Sequence, residues 1–313
     1  MTTRRQFLAA AATSAVAATP AVAATSAVAA DPPKLWVGLQ VYPWKTFRKR
    51  AGQPDFETDL KAGLAEAAKT GADGFEGIAT DPAGMKALAA ACRANGLAVR
   101  SLYIPSVLHD PMLARDAIKK AIATAAEAKT HGVTVIVSNP APISWTAPLV
   151  DKTDQQLRTQ AENLGQLGKA LAAQGQTLAY HTHDMEMRQA AREFHHMLLH
   201  TDPAHMGFCL DAHWVYRGAG DSELALLDVV KVYGKRIVEL HLRQSEKGVW
   251  TEAFGRGDID YARLAVELAA LKVKPLLVLE QAVEVKTPTT LDAVTAHTRS
   301  VAAVREIFGA VPA

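Results

Sequence analysis

The stretch TLAYHTHDMEM, residues 177–187, begins as a short apolar strand and ends in two histidines, an aspartate and a glutamate. His-x-His alone is a weak motif, so its meaning comes from the segments that follow it. MGFCLDAHW (206–214), RIVELHLRQ (236–244) and PLLVLEQ (275–281) share its form: an apolar run that closes on carboxylates, imidazoles or an arginine. Four consecutive strands carrying chemistry at the same end is the pattern of a barrel whose working face lies at the C-terminal ends of its strands.

Working outward, LWVGLQVY (35–42), GFEGI (74–78), AVRSLYI (98–104) and TVIVSNP (134–140) supply four earlier strands. Ala/Leu-rich helical stretches separate the strands, among them 59–70, 112–130, 153–174 and 261–271, and a last helix covers about 289–308. Eight such β/α beats in roughly 280 residues fit a single (β/α)8 TIM barrel over residues 31–313. A doubly wound open sheet normally carries a Gly-rich turn after its first strand, and Tyr42-Pro43-Trp44-Lys45 has none.

The first 30 residues read differently. Arg4 and Arg5 precede Phe7 and Leu8, an uncharged Ala/Val/Thr run follows, and Ala27-Val28-Ala29 offers a cleavage site. This is the form of a twin-arginine signal peptide over residues 1–30, which implies a periplasmic or secreted protein. Pro20 and the Ala-rich composition make a poor membrane span, and no later stretch reaches about 18 apolar residues, so stable membrane insertion is not expected. The chain has 34 basic and 32 acidic residues; the signal holds two of the arginines and no acid, so 34 minus 2 leaves 32 against 32. A neutral mature chain with no basic run gives no footprint for nucleic acid. Cys92 and Cys209 fall in a helix and a strand and read as buried free thiols.

Strand side chains alternate with period two, so His181 and His183 share a face, as do Cys209, Asp211 and His213, and Glu239, His241 and Arg243. With Glu280 closing the eighth strand, four strands aim imidazoles and carboxylates at one point. Buried carboxylates are costly without a cation, and mixed oxygen and nitrogen donors suit manganese, cobalt, zinc or iron better than calcium. His131 and His205 precede strands and belong to the opposite, stability face, while His195, His196, His200 and His297 fall in helices as packing or solvated residues. Arg243, Trp214, Trp250, His109 and Glu76 are candidate substrate contacts, Glu76 also a brace behind the site. Glu186, just past strand five, reads as a metal ligand, a general base or a helix-capping carboxylate. The long loop QSEKGVWTEAFGRGDID, with Trp250, Glu252 and Arg256, reads as a lid suited to a sugar ring.

These segments resemble the xylose isomerase-like barrel superfamily, specifically proteins called sugar phosphate isomerases/epimerases. YHTHDMEM is similar to the family's Tyr-His-Asn-His-Asp-Phe-Glu-Phe, LDAHWVYRGAG to an Asp-x-x-Trp stretch, and ELHLRQSEKGVWTE with GRGDIDY and VLEQ follow in order. The resemblance implies a divalent metal held by Asp211, His241 and Glu280, with a further ligand from the strand-five segment. In the better-known epimerases that ligand is a glutamate serving as a second base; here the position is His181, so a second carboxylate base would have to be Glu186. The implied chemistry is proton abstraction next to a carbonyl of a sugar or keto-sugar, with a metal-stabilised enediolate. Glu280 or Glu186 takes the proton, and His183 or His213 returns it or donates to a leaving group. The outcomes are isomerisation or epimerisation, or elimination as in a keto-glycoside lyase or hydratase. A non-catalytic sugar-binding subunit is the reading from a different class, and it requires that no carboxylate reach the substrate space.

Overall fold

The computed structural model describes residues 35–310. The expected signal peptide, its cleavage site and residues 31–34 lie outside these. Eight parallel strands form one sheet: β1 (Val37–Gln40), β2 (Gly74–Glu76), β3 (Ser101–Tyr103), β4 (Val135–Ser138), β5 (Thr177–Tyr180), β6 (Met206–Asp211), β7 (Ile237–Leu242) and β8 (Leu276–Leu279). The order is β2-β1-β8-β7-β6-β5-β4-β3, and parallel bridges Gly74–Ala98 and Ile78–Tyr103 join its two ends into a nearly closed barrel. At that seam Gly74 has no room for a side chain, since a Cβ there would stand 2.5 Å from the Ala98 carbonyl oxygen. The expected TIM barrel is the observed fold.

Helices alternate with the strands: α1 (Val41–Arg50), α2 (Leu60–Ala67), α3 (Pro82–Ala94), α4 (Pro111–Thr130), α5 (Asp154–Ala173), α6 (Arg188–Leu199), α7 (Ala212–Gly218), α8 (Glu223–Tyr233), α9 (Tyr261–Ala270) and α10 (Ala293–Gly309). Their starts are written in the sequence. Asp81-Pro82 and Asp110-Pro111 pair a capping carboxylate with a proline in the first turn, and Thr153 and Gln156 form a capping box. Each cap satisfies backbone N–H groups the helix cannot, worth about 1 kcal/mol.

Two strands stop earlier than their hydrophobic pattern suggests, both because a polar side chain turns the chain into a helix. Gln40 accepts from the Tyr42 backbone N–H, so Val41 and Tyr42 open α1. Asp211 accepts from Trp214 N at 2.8 Å, so Ala212, His213 and Trp214 open α7.

The alternation within the barrel divides the core. Leu102, Ile136, Leu178, Leu240 and Leu279 join the large cluster packed with the helices, whereas Val135, Val137, Ala179 and Cys209 form a separate small cluster. Cys209 and Asp211 pair with Glu239 and His241 across β6 and β7, so the polar residues share the face of that small inner cluster. A register shift makes this possible: Phe208 pairs with Ile237, but Cys209 pairs with Glu239, leaving Val238 as a bulge. A one-residue slip exchanges the two faces of a strand. The bulge therefore brings Glu239 and His241 to the face of Asp211 and turns Leu240 to the helices, while Val238 itself packs against the small inner cluster. Cys92 and Cys209 are buried free thiols, in α3 and β6.

Candidate active site

Strand ends β5 to β8 bring four side chains together. His181 follows β5, Asp211 ends β6, His241 lies in β7 and Glu280 follows β8; one ligand-capable atom of each lies within 4.8 Å of the others. All four are buried. Asp211 spends one oxygen on the α7 cap, while its Oδ2 and the His181 Nδ1 have no hydrogen-bond partner. Buried orphan atoms of this kind call for a partner. Two imidazoles and two carboxylates at this spacing fit a divalent transition metal or manganese. The structure thus assembles four of the five residues expected to hold a metal.

The charges around this point are uneven. Burial pushes the Asp211 carboxyl up to about 7 although Arg243 pulls it down. Burial opposes ionisation of Glu280 too, but Arg243, 3.0 Å from Oε2, and His241, 3.1 Å away through Nδ1, hold it well below the usual carboxylate range. Burial and the neighbouring His241 and His183 keep His181 well below its ordinary value, which leaves it a neutral donor. Burial lowers His183 to about 4.

A cavity of about 330 Å³ opens over this centre, lined by His181, His183, Arg243, Glu280, Tyr42, Tyr103, Trp145 and Trp214 among others. Arg243 is fully buried. Its Nε donates to the Glu280 carbonyl oxygen at 2.9 Å, and its guanidinium carbon lies 4.8 Å from the Trp214 ring centre and 4.3 Å from that of Trp250. Such stacking fixes the planar group and leaves Nη1 without a partner. His183 sits edge-on to Trp145, His181 and Trp214 at 5.2, 5.0 and 5.6 Å, with Nδ1 unpartnered.

Other expected residues fall elsewhere. Glu186 lies outside the ligand group and does not line the cavity. In a 3-10 turn (Met185–Met187) it accepts from the His183 backbone N–H at 2.7 Å and from Asn139 Nδ2 at 3.1 Å, so it braces the segment that presents His183. Its roles as ligand and as base are corrected accordingly. His213 was expected on the face of Asp211, but α7 begins between them. It packs near Tyr216 and Trp250 with both ring nitrogens unpartnered, burial drives it to about 2, and it does not line the cavity. Trp250 stands behind Arg243 instead of facing the cavity, its backbone N–H bonded to Glu284. His109 lies near Lys152 and Glu193, away from the cavity lining. Glu76 is buried at the end of β2 and reaches His241 instead of the cavity.

The lid expected after β7 is a tied structure. It forms a hairpin of Ser245–Glu246 with Val249–Trp250; Asp258 accepts from Ser245 Oγ, Lys247 N and Gly248 N, and Glu252 pairs with Arg50. Sequence reading missed Tyr42, Tyr103 and Trp145 as lining residues. Tyr103 carried the available signal, since it stands at the end of β3.

A parallel eight-stranded barrel with a metal-capable polar centre at the C-terminal ends of its strands defines the class of this protein. The chain belongs to the xylose isomerase-like TIM barrel family, whose pattern matches residues 64–301. No curated protein matches the sequence. Solved structures share the fold at low identity. A sugar phosphate isomerase/epimerase from Parabacteroides distasonis superposes with a TM-score of 0.66 at 18% identity, covering 90% of this chain and 97% of that one. A D-allulose 3-epimerase from Methylomonas sp., solved with D-allulose, gives 0.67 at 14%, covering 88% and 98%. A 3-keto-D-glucoside 4-epimerase from E. coli gives 0.59 at 18%, covering 87% and 100%.

Proposed function

We propose that this protein is a metal-dependent sugar isomerase or epimerase that moves a proton next to a carbonyl. The observation that carries the reading is the convergence of His181, Asp211, His241 and Glu280 beneath a cavity into which Glu280 also opens. A carboxylate therefore reaches the substrate space, which speaks for catalysis over a sugar-binding subunit. A divalent ion held by these four residues would supply Lewis acidity toward a substrate oxygen. Arg243, stacked against two tryptophans, offers its free Nη1 to orient a substrate oxygen. Glu280, kept ionised by Arg243 and His241, takes the proton from carbon, and the neutral His183 across the cavity relays a solvent proton back to the enediolate, Glu280 giving its own proton up to solvent. The named substrates of the structural neighbours, allulose and a keto-glucoside, support a ketose or keto-sugar.

One observation favours a second reading. Glu280 and the imidazole of His183 both line the cavity, where the other carboxylate is Asp184 and Glu186 is turned away. A carboxylate base with an imidazole relay suits elimination, in which Glu280 removes the proton next to the carbonyl and the neutral His183 passes a solvent proton to the departing glycosidic oxygen. The twin-arginine reading of residues 1–30 adds export, and sugar phosphates are mainly cytoplasmic.

The decisive test is metal analysis of the purified protein beside an Asp211→Ala variant, with turnover of keto-sugars followed in heavy water. About one divalent ion per chain, lost in the variant, and metal-dependent deuterium incorporation are expected. Full metal content in the variant overturns the site, and uptake of deuterium without metal overturns the chemistry. Release of an aglycone from a keto-glycoside would select elimination.

A further inference from the structure

Below the proposed metal centre lies a second polar group that the reaction does not use. Glu239 precedes His241 by two residues on β7, and Glu76 ends β2, separated from β7 in the barrel by β1 and β8. Both glutamates meet the same atom: His241 Nε2 is 3.1 Å from Glu239 Oε1, within hydrogen-bond distance, and 3.1 Å from Glu76 Oε1. The other nitrogen, Nδ1, faces Glu280 Oε2 at 3.1 Å, on the side of the metal-capable cluster. Glu76 and Glu239 are 1% and 0% exposed, and neither lines the cavity, so neither touches substrate.

We infer that Glu76 and Glu239 are positioning residues that clamp the proton of His241 on Nε2, leaving Nδ1 as the nitrogen offered to the metal. A nitrogen flanked by two carboxylate oxygens at this distance carries hydrogen, because a lone pair there would face two others. Nδ1 faces the single Glu280 oxygen at 3.1 Å on the cluster side, so its proton is the one a metal ion would displace, and the hydrogen that stays on the ring is on Nε2. A carboxylate on the far nitrogen also makes the ring a stronger ligand and holds its plane. The arrangement further accounts for two acidic side chains in the barrel interior, where burial without a partner is costly. The bulge at Val238 is the structural means, since it turns Glu239 and His241 inward together.

The inference rests on the reading of the centre as a metal site, and the experiment separates the two. Zinc is titrated calorimetrically into the metal-free wild type, Glu239→Gln, Glu76→Gln and the double variant, beside Asp211→Ala. Each glutamine is close in size and keeps an acceptor oxygen, and thermal unfolding of the metal-free proteins checks folding. Zinc affinity falls about tenfold in the single variants and up to about a hundredfold in the double. In the wild type, which needs no variant to fold, nitrogen-resolved NMR of labelled histidines shows His241 protonated on Nε2, with zinc shifting Nδ1. Wild-type affinity in the double variant overturns the clamp, as does a zinc-induced shift on Nε2. A second ion per chain that disappears in Glu76→Gln also overturns it, because the carboxylates then hold a metal of their own. Retention of zinc by Asp211→Ala overturns the metal centre itself.

Discussion

His183 is the side chain on which the proposed chemistry turns. It reaches the cavity beside Glu280, its Nδ1 is unpartnered, and the Glu186 carboxylate pins its backbone N–H. Burial keeps the ring neutral and so able to accept a proton at neutral pH. Replacing it with glutamine keeps the polarity and removes the proton carrier. His183→Gln lowers kcat by about a hundredfold or more while leaving metal content at the wild-type level, as turnover assays and metal analysis on the same preparation will show. Loss of the metal together with activity would instead make His183 a ligand. The residues legible from sequence were those fixed by strand direction: His181, Asp211, His241, Arg243 and Glu280 all stand at or next to C-terminal strand ends. Glu186, His213 and Trp250 were not legible, because their positions depend on where a strand stops. Asp211 ends β6 by capping α7, and that single hydrogen bond moves His213 off the site face.

At the scale of elements, helix starts were the most readable feature, since Asp-Pro pairs and the Thr153 capping box state them directly. The bulge in β7 was hidden. Period-two patterning is intact on either side of Val238, and only pairing with β6 reveals the shift. Helix α10 shows how an element is held and gives a pH prediction. His297 is 1% exposed, stacks on Trp44 of α1 at 4.6 Å and shares a 2.7 Å hydrogen bond with the Ala293 carbonyl through Nδ1. Burial lowers it to about 4, from an ordinary 6.5. Between these values the unfolded chain binds a proton that the folded chain does not, so stability falls with acidification through that window and levels off below about 4. The difference amounts to about 3 kcal/mol at its limit. In His297→Gln the urea-unfolding free energy loses that share of its decline between pH 6.5 and 4. An identical pH slope in both proteins would assign the acid sensitivity to other groups.

The whole molecule joins a neutral barrel to an amino-terminal stretch of a different kind. With the two arginines of residues 1–30 set aside, acids and bases balance at 32 each, and among the described residues no helix is long and apolar enough to cross a membrane. The four buried histidine and carboxylate residues proposed as ligands would form a site that copper and zinc fill before manganese wherever those metals are free. Export through the twin-arginine route would let the barrel fold and take its metal in the cytoplasm, where the weaker binder competes better. The prediction therefore has two parts. Arg4→Lys with Arg5→Lys leaves the protein in the cytoplasm, as cell fractionation and immunoblotting will show, because that route reads the arginine pair itself. Replacing residues 1–30 with a signal for the unfolded-chain route restores export but changes the metal, which elemental analysis of the two exported proteins will detect. Export of the double-lysine chain at the normal level would remove the twin-arginine reading. The same metal at full occupancy by either route would show that the four ligands select their ion unaided, and that folding before export does nothing for the site.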